Sequence, residues 1–214
     1  MERIAVIDYG MGNLRSVSKA LEHVATPAQE IVVTSDKRVV ESADRIVFPG
    51  QGAMRDCMAE LVRFDLRDCV ANVVFSRPFL GICMGLQALL DYSEEDPDTA
   101  GLGTFAGAVR RFAGDRKDAN GARLKIPHMG WNNVHQHGTH PLWKGIDDAE
   151  RFYFVHSYFV EPVDQDLVAA RCSYGEEFAC ALAKDGLFAV QFHPEKSQHA
   201  GLKLLQNFLT WSPA

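Results

Sequence analysis

Long apolar segments and an excess of positive charge are both missing from this sequence. No apolar run approaches the ~20 residues that a membrane-spanning helix needs. The 214 residues carry 22 Lys and Arg against 28 Asp and Glu, which gives a net charge of −6 and argues against a nucleic-acid partner. The apolar run at residues 4–7 is too short for a secretory signal, so we predict that it forms a strand.

Closely spaced cysteine pairs are also missing. The five cysteines are Cys57, Cys69, Cys83, Cys172 and Cys180. Their odd number and wide spacing argue against a disulfide framework and against a thiolate zinc site, and favour reduced thiols in the cytoplasm. His135, His137 and His140 form a histidine cluster, but no carboxylate or Cys accompanies it in a loop-like setting. We therefore predict no metal site.

The sequence pattern predicts one α/β domain over residues 1–214. In the first half, strand-like apolar runs alternate with amphipathic helical patterns. The predicted strands lie at 3–8, 30–33, 45–48 and 78–83, then at 152–155, 158–161, 167–172, 180–184 and 187–192. A last helix is predicted at 197–209, and a polar turn at 114–121. This alternation predicts a three-layer domain with a mostly parallel central mixed sheet, whose functional loops follow the strands.

Cys83 lies at the centre of the most informative segment, Gly81-Ile82-Cys83-Met84-Gly85. An apolar run precedes it and good helix formers follow it. Glycines two positions away on either side allow a sharp strand-to-helix turn, which would leave Cys83 exposed at its apex. The positive end of the following helix would favour a reactive thiolate. A buried structural cysteine at a tight junction fits the pentapeptide equally well.

His193 and Glu195 supply the groups that a nucleophilic cysteine requires. A strand-like run leads into His193, and Pro194 keeps that residue out of the helical region. In an extended segment residues 193 and 195 share a face, so Glu195 can orient the imidazole. His193 would take the proton of Cys83 and deliver it to a leaving amine.

Two glycine-containing loops follow predicted strands. Acyl chemistry at Cys83 needs N–H groups directed at an oxyanion, and the N–H of Met84 is one candidate donor. Gly50-Gln51-Gly52 is the best placed segment for the other, although a plain βα turn also fits it. Gly10 and Gly12 form only part of a dinucleotide-binding fingerprint, because no third glycine follows at the required spacing. We predict no bound cofactor.

The motifs G-I-C-M-G, P-G-Q-G and H-P-E, in this order, resemble those of class I glutamine amidotransferases, a flavodoxin-like fold. Four further segments are similar to glutaminase subunits of imidazole glycerol phosphate synthases. They are D-Y-G-M-G-N from Asp8, M-G-W-N from Met129, Y-F-V-H-S-Y from Tyr153 and H-P-E-K-S from His193. The resemblance implies glutamine hydrolysis to glutamate and ammonia by a heterodimer. Its (β/α)₈-barrel cyclase subunit uses the ammonia to make imidazole glycerol phosphate and AICAR in histidine biosynthesis.

The resemblance also implies roles for single residues. Cys83, His193 and Glu195 match the triad, and Gly50, Gln51 and Gly52 match an oxyanion strand that rearranges when the partner binds its ligand. The positions near glutamine are Gln87, His156, Ser157 and Tyr158. The positions facing the cyclase are Asn13, Trp131, Asn132, Tyr153 and Lys196. Gln51 stands where many relatives have Val, and Met11 where some have Pro. Both lie at the segment that rearranges, so the resemblance predicts the chemistry but not the ease of activation.

Three other functions fit part of the pattern. A glutaminase of pyridoxal phosphate or anthranilate synthesis would share the triad but lack M-G-W-N and H-P-E-K-S. A cysteine peptidase or esterase would act without a partner, and a non-catalytic scaffold would not need an intact triad.

Overall fold

The computed structural model describes residues 1–117 and 121–213, which form thirteen strands, six α-helices and three 3₁₀ helices. The strands are β1 (Glu2–Ile7), β2 (Gln29–Thr34), β3 (Arg45–Gly50), β4 (Phe79–Cys83), β5 (Tyr92–Ser93), β6 (Asp96–Ala100), β7 (Gly107–Arg111), β8 (His128–Gln136), β9 (Glu150–His156), β10 (Tyr158–Pro162), β11 (Val168–Ser173), β12 (Glu177–Lys184) and β13 (Leu187–Val190). The α-helices are α1 (Leu14–Val24), α2 (Lys37–Ser42), α3 (Met54–Arg63), α4 (Arg67–Val73), α5 (Met84–Gln87) and α6 (Gln198–Thr210). The 3₁₀ helices are Pro141–Trp143, Gln165–Leu167 and Pro194–Lys196.

The sheet has a parallel part and a mostly antiparallel part that meet at β13. Its strand order is β2-β1-β3-β4-β13-β12-β10-β7-β5-β6, and the first five of these strands are parallel to one another. Beyond β13 the neighbouring strands are antiparallel, except for the parallel pair of β7 and β5. Strand β11 pairs with β12 and with β8, which forms an antiparallel ribbon with β9. Because β3, β4 and β13 are adjacent and parallel, the loops that follow them open at the same edge of the sheet.

Helices cover both faces of the parallel part, as the alternating burial of β1 illustrates. Ile4 and Val6 belong to a core that includes residues of α1 and α6, whereas Ala5 and Ile7 belong to a core that includes residues of α3 and α4. Fully burying a large apolar side chain contributes about 1.5–3 kcal/mol. Each face of β1 therefore anchors a separate helical layer, and the predicted three-layer α/β domain with a central mixed sheet is confirmed.

Other parts of the prediction need correction. His135 lies in strand β8 and not in a loop, and the short strands β5, β6 and β7 had no clear sequence pattern. In the predicted polar turn, residues 118–120 lie outside the described residues, and Lys117 and Arg123 on either side form an antiparallel bridge. Over the described ranges, the helices are all too short or too polar to cross a membrane.

Candidate active site

Cys83 ends strand β4 in a backbone conformation that few residues other than glycine adopt, with φ of 55° and ψ of −106°. The two flanking glycines serve a different purpose from the one expected. Neither has a positive φ, and a Cβ at Gly81 would lie 2.9 Å from the Cβ of Ala189. A Cβ at Gly85 would collide with the carbonyl oxygen of Phe48. The glycines thus permit close packing around the turn, while Cys83 itself has the strained backbone.

The expected exposure of Cys83 is wrong. Its accessible fraction is 7%, because the turn lies at the bottom of a cavity and does not project from the surface. Helix α5, which begins directly after Cys83, has only four residues. Four aligned peptides produce a small helix dipole, so the stabilisation of a thiolate must come mainly from nearby side chains.

His193 and Glu195 form a buried pair directly after β13. The Nδ1 atom of His193 lies 2.9 Å from Oε1 of Glu195, and their side chains are 2% and 1% exposed. The segment is not extended as predicted, since Pro194–Lys196 forms a 3₁₀ turn that brings the carboxylate back to the ring. The Ser197 hydroxyl holds this turn by donating to the carbonyl of His193 at 2.6 Å.

The electrostatic setting of His193 favours its charged form. Burial by itself lowers the pKa of His193, but the nearby Cys83 sulfur and the Glu195 carboxylate outweigh it and raise the pKa to about 10. Its Nε2 atom is buried and lacks a hydrogen-bond partner among the described residues. The ring nitrogen that does not contact Glu195 is therefore available for proton exchange beside Cys83.

The raised pKa of His193 predicts a pH-dependent contribution to stability. The contribution is fully present below the ordinary imidazole value of 6.5, where folded and unfolded rings are both protonated, and is lost as the pH rises toward about 10. We expect the difference in thermal unfolding midpoint between wild type and His193→Gln to be largest near pH 6 and to shrink by pH 10. His23→Gln, at an exposed position of α1, is the control. A difference that stays constant across this range would contradict the prediction.

Gly50, Gln51 and Gly52 lie beside the Cys83 turn. Gly50 is in register with Cys83 across the β3–β4 pair. A Cβ at Gly50 would collide with the Tyr9 hydroxyl and would lie 2.8 Å from the Cβ of Met84, so no larger residue fits there. Met84 opens helix α5, and its N–H therefore has no acceptor within the helix. The two predicted sources of oxyanion donors are thus adjacent in space.

A cavity of about 470 Å³ opens over the Cys83 sulfur. It is lined by Gln51, Gly52, Ala53, Cys83, Met84, Gln87, Glu95, Pro127, Val155, His156, Ser157, Tyr158, His193 and Lys196. The structure therefore brings together the predicted nucleophile and base, part of the predicted oxyanion segment and all four predicted substrate positions. Glu195 supports His193 from behind and does not line the cavity.

Gln87 and His156 are held in place by the carbonyl oxygen of Tyr158. Gln87 Nε2 donates to this oxygen at 3.1 Å, and His156 Nδ1 donates to it at 2.8 Å. His128 Nδ1 then donates to Nε2 of His156 at 2.9 Å, which occupies both ring nitrogens of His156. Burial lowers the pKa of His156 to about 3 and that of His128 to about 4. His156 is thus a neutral ring that shapes the cavity wall.

Three of the predicted partner-facing residues form one surface. The rings of Trp131 and Tyr153 meet edge to face at 6.1 Å, and Nζ of Lys196 lies 5.8 Å from the Tyr153 ring. The two others have contacts within the chain. Asn13 caps α1 by accepting the N–H of Ser16 at 3.4 Å. Asn132 donates to His128 at 3.2 Å and to the carbonyl of Ser173 at 2.8 Å.

Two polar side chains at the site were not predicted from the sequence. Glu95 lines the cavity, and Gln191 is fully buried with its Nε2 3.7 Å from the Cys83 sulfur. Gln191 had a detectable signal, because it lies two residues before His193 in a strand-like run. Glu95 had none, since it lies in an irregular stretch between two short strands.

The prediction that no carboxylate accompanies the histidine cluster is also wrong. A carboxylate does lie near it, with Oδ2 of Asp148 3.7 Å from Nδ1 of His135. His140 instead accepts the N–H of Leu142 at 3.2 Å and caps a 3₁₀ helix. Across the described ranges, no group of three or more His, Cys, Asp or Glu side chains is placed to hold a metal ion.

The chain is similar in sequence to a known family and to named relatives. The family model "Glutamine amidotransferase class-I" matches residues 5–211. An imidazole glycerol phosphate synthase subunit HisH from Thiobacillus denitrificans is 61% identical over 98% of this chain and 92% of its own length. The subunit of the same name from Aromatoleum aromaticum is 58% identical over the whole of both chains.

Solved structures share the fold at much lower identity. A glutamine amidotransferase superposes with a TM-score of 0.70 at 19% identity, covering 97% of both chains. The structure titled PurLQS from Thermotoga maritima gives a TM-score of 0.71 at 20% identity, covering 98% of both chains.

Proposed function

The chain belongs to the class I glutamine amidotransferase family, within the branch of imidazole glycerol phosphate synthase subunit HisH, and from this premise we propose that Cys83, His193 and Glu195 hydrolyse glutamine. The chain is a glutamine-hydrolysing enzyme of histidine biosynthesis. One observation supports the residue assignment most directly: Cys83 and His193 line the same cavity and interact electrostatically, while Glu195 holds Nδ1 of His193 at 2.9 Å and leaves Nε2 without a hydrogen-bond partner.

The reaction follows from this arrangement in two stages. The Cys83 thiolate attacks the side-chain amide carbon of glutamine, and His193 gives its Nε2 proton to the nitrogen, which leaves as ammonia. A thioester between Cys83 and the glutamyl group remains. His193, now neutral, takes a proton from water, which attacks the thioester to release glutamate and the Cys83 sulfur. Glu195 keeps the proton on Nδ1 throughout, so that Nε2 performs both transfers.

The oxyanion formed in each stage needs donors on the opposite side of the attacked carbon. We assign this role to the N–H of Met84 and to the segment Gly50-Gln51-Gly52. The absence of space for a side chain at Gly50 supports the assignment, because it allows the backbone to approach the Cys83 turn closely. One such donor contributes about 2.7–4 kcal/mol to the transition state.

Recognition of free glutamine requires partners for its ammonium and carboxylate groups. Glu95 contributes a negative charge to the cavity wall that suits an ammonium group. Gln87 uses its Nε2 to bond Tyr158 and Gln191, which leaves its Oε1 as the atom able to accept from a ligand. Ser157 and Tyr158 complete the wall on the same side.

Glu95→Gln is expected to raise the KM for glutamine about 5- to 10-fold with little change in kcat, because a partly solvated charge pair is lost from binding alone. Steady-state glutaminase kinetics measure this. Glu94→Gln is the matched control, since the Glu94 side chain pairs with Arg110 at 2.9 Å and lies outside the cavity. An equal rise in KM for both variants would contradict the assignment.

We propose that a (β/α)₈-barrel cyclase subunit docks on the surface formed by Trp131, Tyr153 and Lys196. Met129 and Trp131 are 62% and 37% exposed on neighbouring outward positions of β8, an arrangement typical of a docking surface. The backbone of Tyr153 accepts the N–H of His193 at 2.9 Å and donates to the Ser197 hydroxyl at 3.0 Å. A shift of the Tyr153 backbone on docking would therefore displace the turn that carries the catalytic histidine.

Glutaminase assays on the free chain, on the complex and on the complex with the cyclase's nucleotide ligand test this proposal. We expect the ligand to raise kcat by roughly 10²–10³, the value of one correctly placed oxyanion donor, with a smaller change in KM. Lys196→Ala should weaken this activation, whereas Lys203→Ala, on α6 and outside both the cavity and the proposed docking surface, should not. Equal turnover in all three samples would leave no activation to explain.

The same assays address the other functions considered. p-Nitrophenyl esters and peptides as substrates would detect an esterase or peptidase, and we expect neither to be turned over at a rate comparable to glutamine. The high identity to HisH subunits opposes a role in pyridoxal phosphate or anthranilate synthesis. We place the protein in the cytoplasm and treat residues 1–214 as one amidotransferase domain, and the five free cysteines support a reducing location.

A further inference from the structure

Gln191 is a fully buried amide beside the nucleophile. It directly follows β13, and its backbone N–H is anchored by the carbonyl of Cys180 at 2.8 Å. Its side-chain Nε2 lies 3.7 Å from the Cys83 sulfur, within hydrogen-bonding range for a sulfur acceptor. The triad chemistry described above makes no use of this contact.

The orientation of the Gln191 amide follows from its neighbours. The carbonyl of Tyr158 can only accept, so the atom of Gln87 that faces it at 3.1 Å must be the nitrogen. The same nitrogen faces Gln191 at 3.0 Å, and the atom of Gln191 that receives this bond must be Oε1. The nitrogen of Gln191 then points at the Cys83 sulfur. A flipped amide would place two donors together and direct an oxygen at the sulfur.

We propose that Gln191 is a catalytic residue that donates a hydrogen bond to the Cys83 thiolate. The inference deepens the proposed function and rests on Cys83 being its nucleophile. A hydrogen bond to a charged acceptor is about twice as strong as a neutral one, and burial strengthens it further. The bond therefore favours the thiolate over the thiol, for which the same contact is weak.

Gln191 and His193 have different roles at the Cys83 sulfur. His193 exchanges the proton and must turn to the leaving group, whereas Gln191 has no proton to transfer and stays bonded as the charge develops. Once His193 has given its proton away, Gln191 still stabilises a sulfur that leaves as an anion when the thioester is hydrolysed. Its chain of bonds to Gln87 and Tyr158 fixes it rigidly enough for that purpose.

The test is the rate of Cys83 alkylation by iodoacetamide as a function of pH, measured by peptide mass on the full chain in its complex. Gln191→Met keeps the length of the side chain and removes the donor. Gln191→Glu keeps the shape and places an acceptor at the sulfur. We expect Gln191→Met to slow alkylation at neutral pH by about ten-fold or more and to move the profile to higher pH. Gln191→Glu should have the larger effect.

Glutamine kinetics on the same variants give an independent readout. kcat should fall in parallel with alkylation while KM stays near the wild-type value, because Gln191 does not line the cavity. The matched control is Gln206→Met, at an exposed position of α6, which should change neither measurement. A wild-type alkylation profile in folded Gln191→Met would overturn the proposal.

The experiment also distinguishes misfolding of the variants from failure of the proposed function. If both Gln191 variants fail to fold, Gln87→Met decides, because it removes the donor that orients Gln191 without touching the sulfur. An intermediate slowing of alkylation in Gln87→Met supports the proposal, and an unchanged rate overturns it. Alkylation needs no glutamine, so a wild-type chain that alkylates readily but hydrolyses no glutamine would refute the proposed function and leave the Gln191 contact standing.

Discussion

Cys83→Ala is expected to lower kcat for glutamine hydrolysis by roughly 10⁶-fold, as removal of a nucleophile does in other triad enzymes. No other thiol can take its place, because the remaining four cysteines are buried and none lines the cavity. The measurement is ammonia release from glutamine by the complex. Retained hydrolysis would refute the assignment of Cys83 as the nucleophile.

The control for this variant is the cyclase reaction with supplied ammonia, which should continue because the docking surface is unchanged. Loss of this ammonia-dependent reaction would show that the substitution had damaged assembly. A second variant, Cys83→Gly, should be equally inactive but more stable than Cys83→Ala. Glycine adopts a φ of 55° readily, whereas an L-residue there carries strain of order 1–3 kcal/mol.

His193→Ala should lower kcat about as much as Cys83→Ala does, because no base then deprotonates the Cys83 thiol and no acid protonates the leaving amine. Glu195→Gln should be milder, with a fall of roughly 10⁴ in kcat, since Glu195 orients the imidazole and transfers no proton. The 2.9 Å contact between Nδ1 and the Glu195 carboxylate is the structural basis of this difference. Single-turnover assays from pH 6 to pH 10 compare the two variants.

Glu195→Gln offers an amide that can present either oxygen or nitrogen to Nδ1. With the nitrogen in that place, the imidazole would adopt the wrong tautomer and Nε2 would carry the proton in the resting state. If Glu195→Gln were as inactive as His193→Ala at every pH, orientation alone would not describe the role of Glu195. A direct contribution of its negative charge to the His193 cation would then be required.

The parallel part of the sheet was predictable because each of its strands is a short apolar run followed by a helical pattern. The predicted strand at 45–48 and the strand ending at Cys83 are present as β3 and β4, each within one or two residues. The periodicity of apolar residues did not predict the strands whose burial does not alternate. Strands β5 and β6 alternate little. They pair with each other, and only the pairing of β5 with β7 joins them to the rest of the sheet.

The candidate triad was also visible in the sequence, because Cys83 ends one predicted buried strand and His193 and Glu195 follow another. The local backbone geometry predicted around these residues was wrong. Pro194 was expected to prolong an extended segment, but a 3₁₀ turn forms there, held by the Ser197 hydroxyl. The glycines around Cys83 were expected to supply unusual dihedral angles, but they supply room for packing.

By itself the sequence indicated the alternation of strands and helices in the first half, the candidate nucleophile with its candidate base and orienting carboxylate, and the resemblance that led to the family. Those properties depend on residue type and on short-range periodicity, which can be read from a single sequence. Only the tertiary structure decided that Cys83 is buried at the bottom of a cavity, that Glu95 joins its wall and that Gln191 directs a donor at the sulfur. Each of these depends on residues far apart in the chain. Cys83 and Gln191 are 108 positions apart, and the pairing of β4 with β13 brings them together.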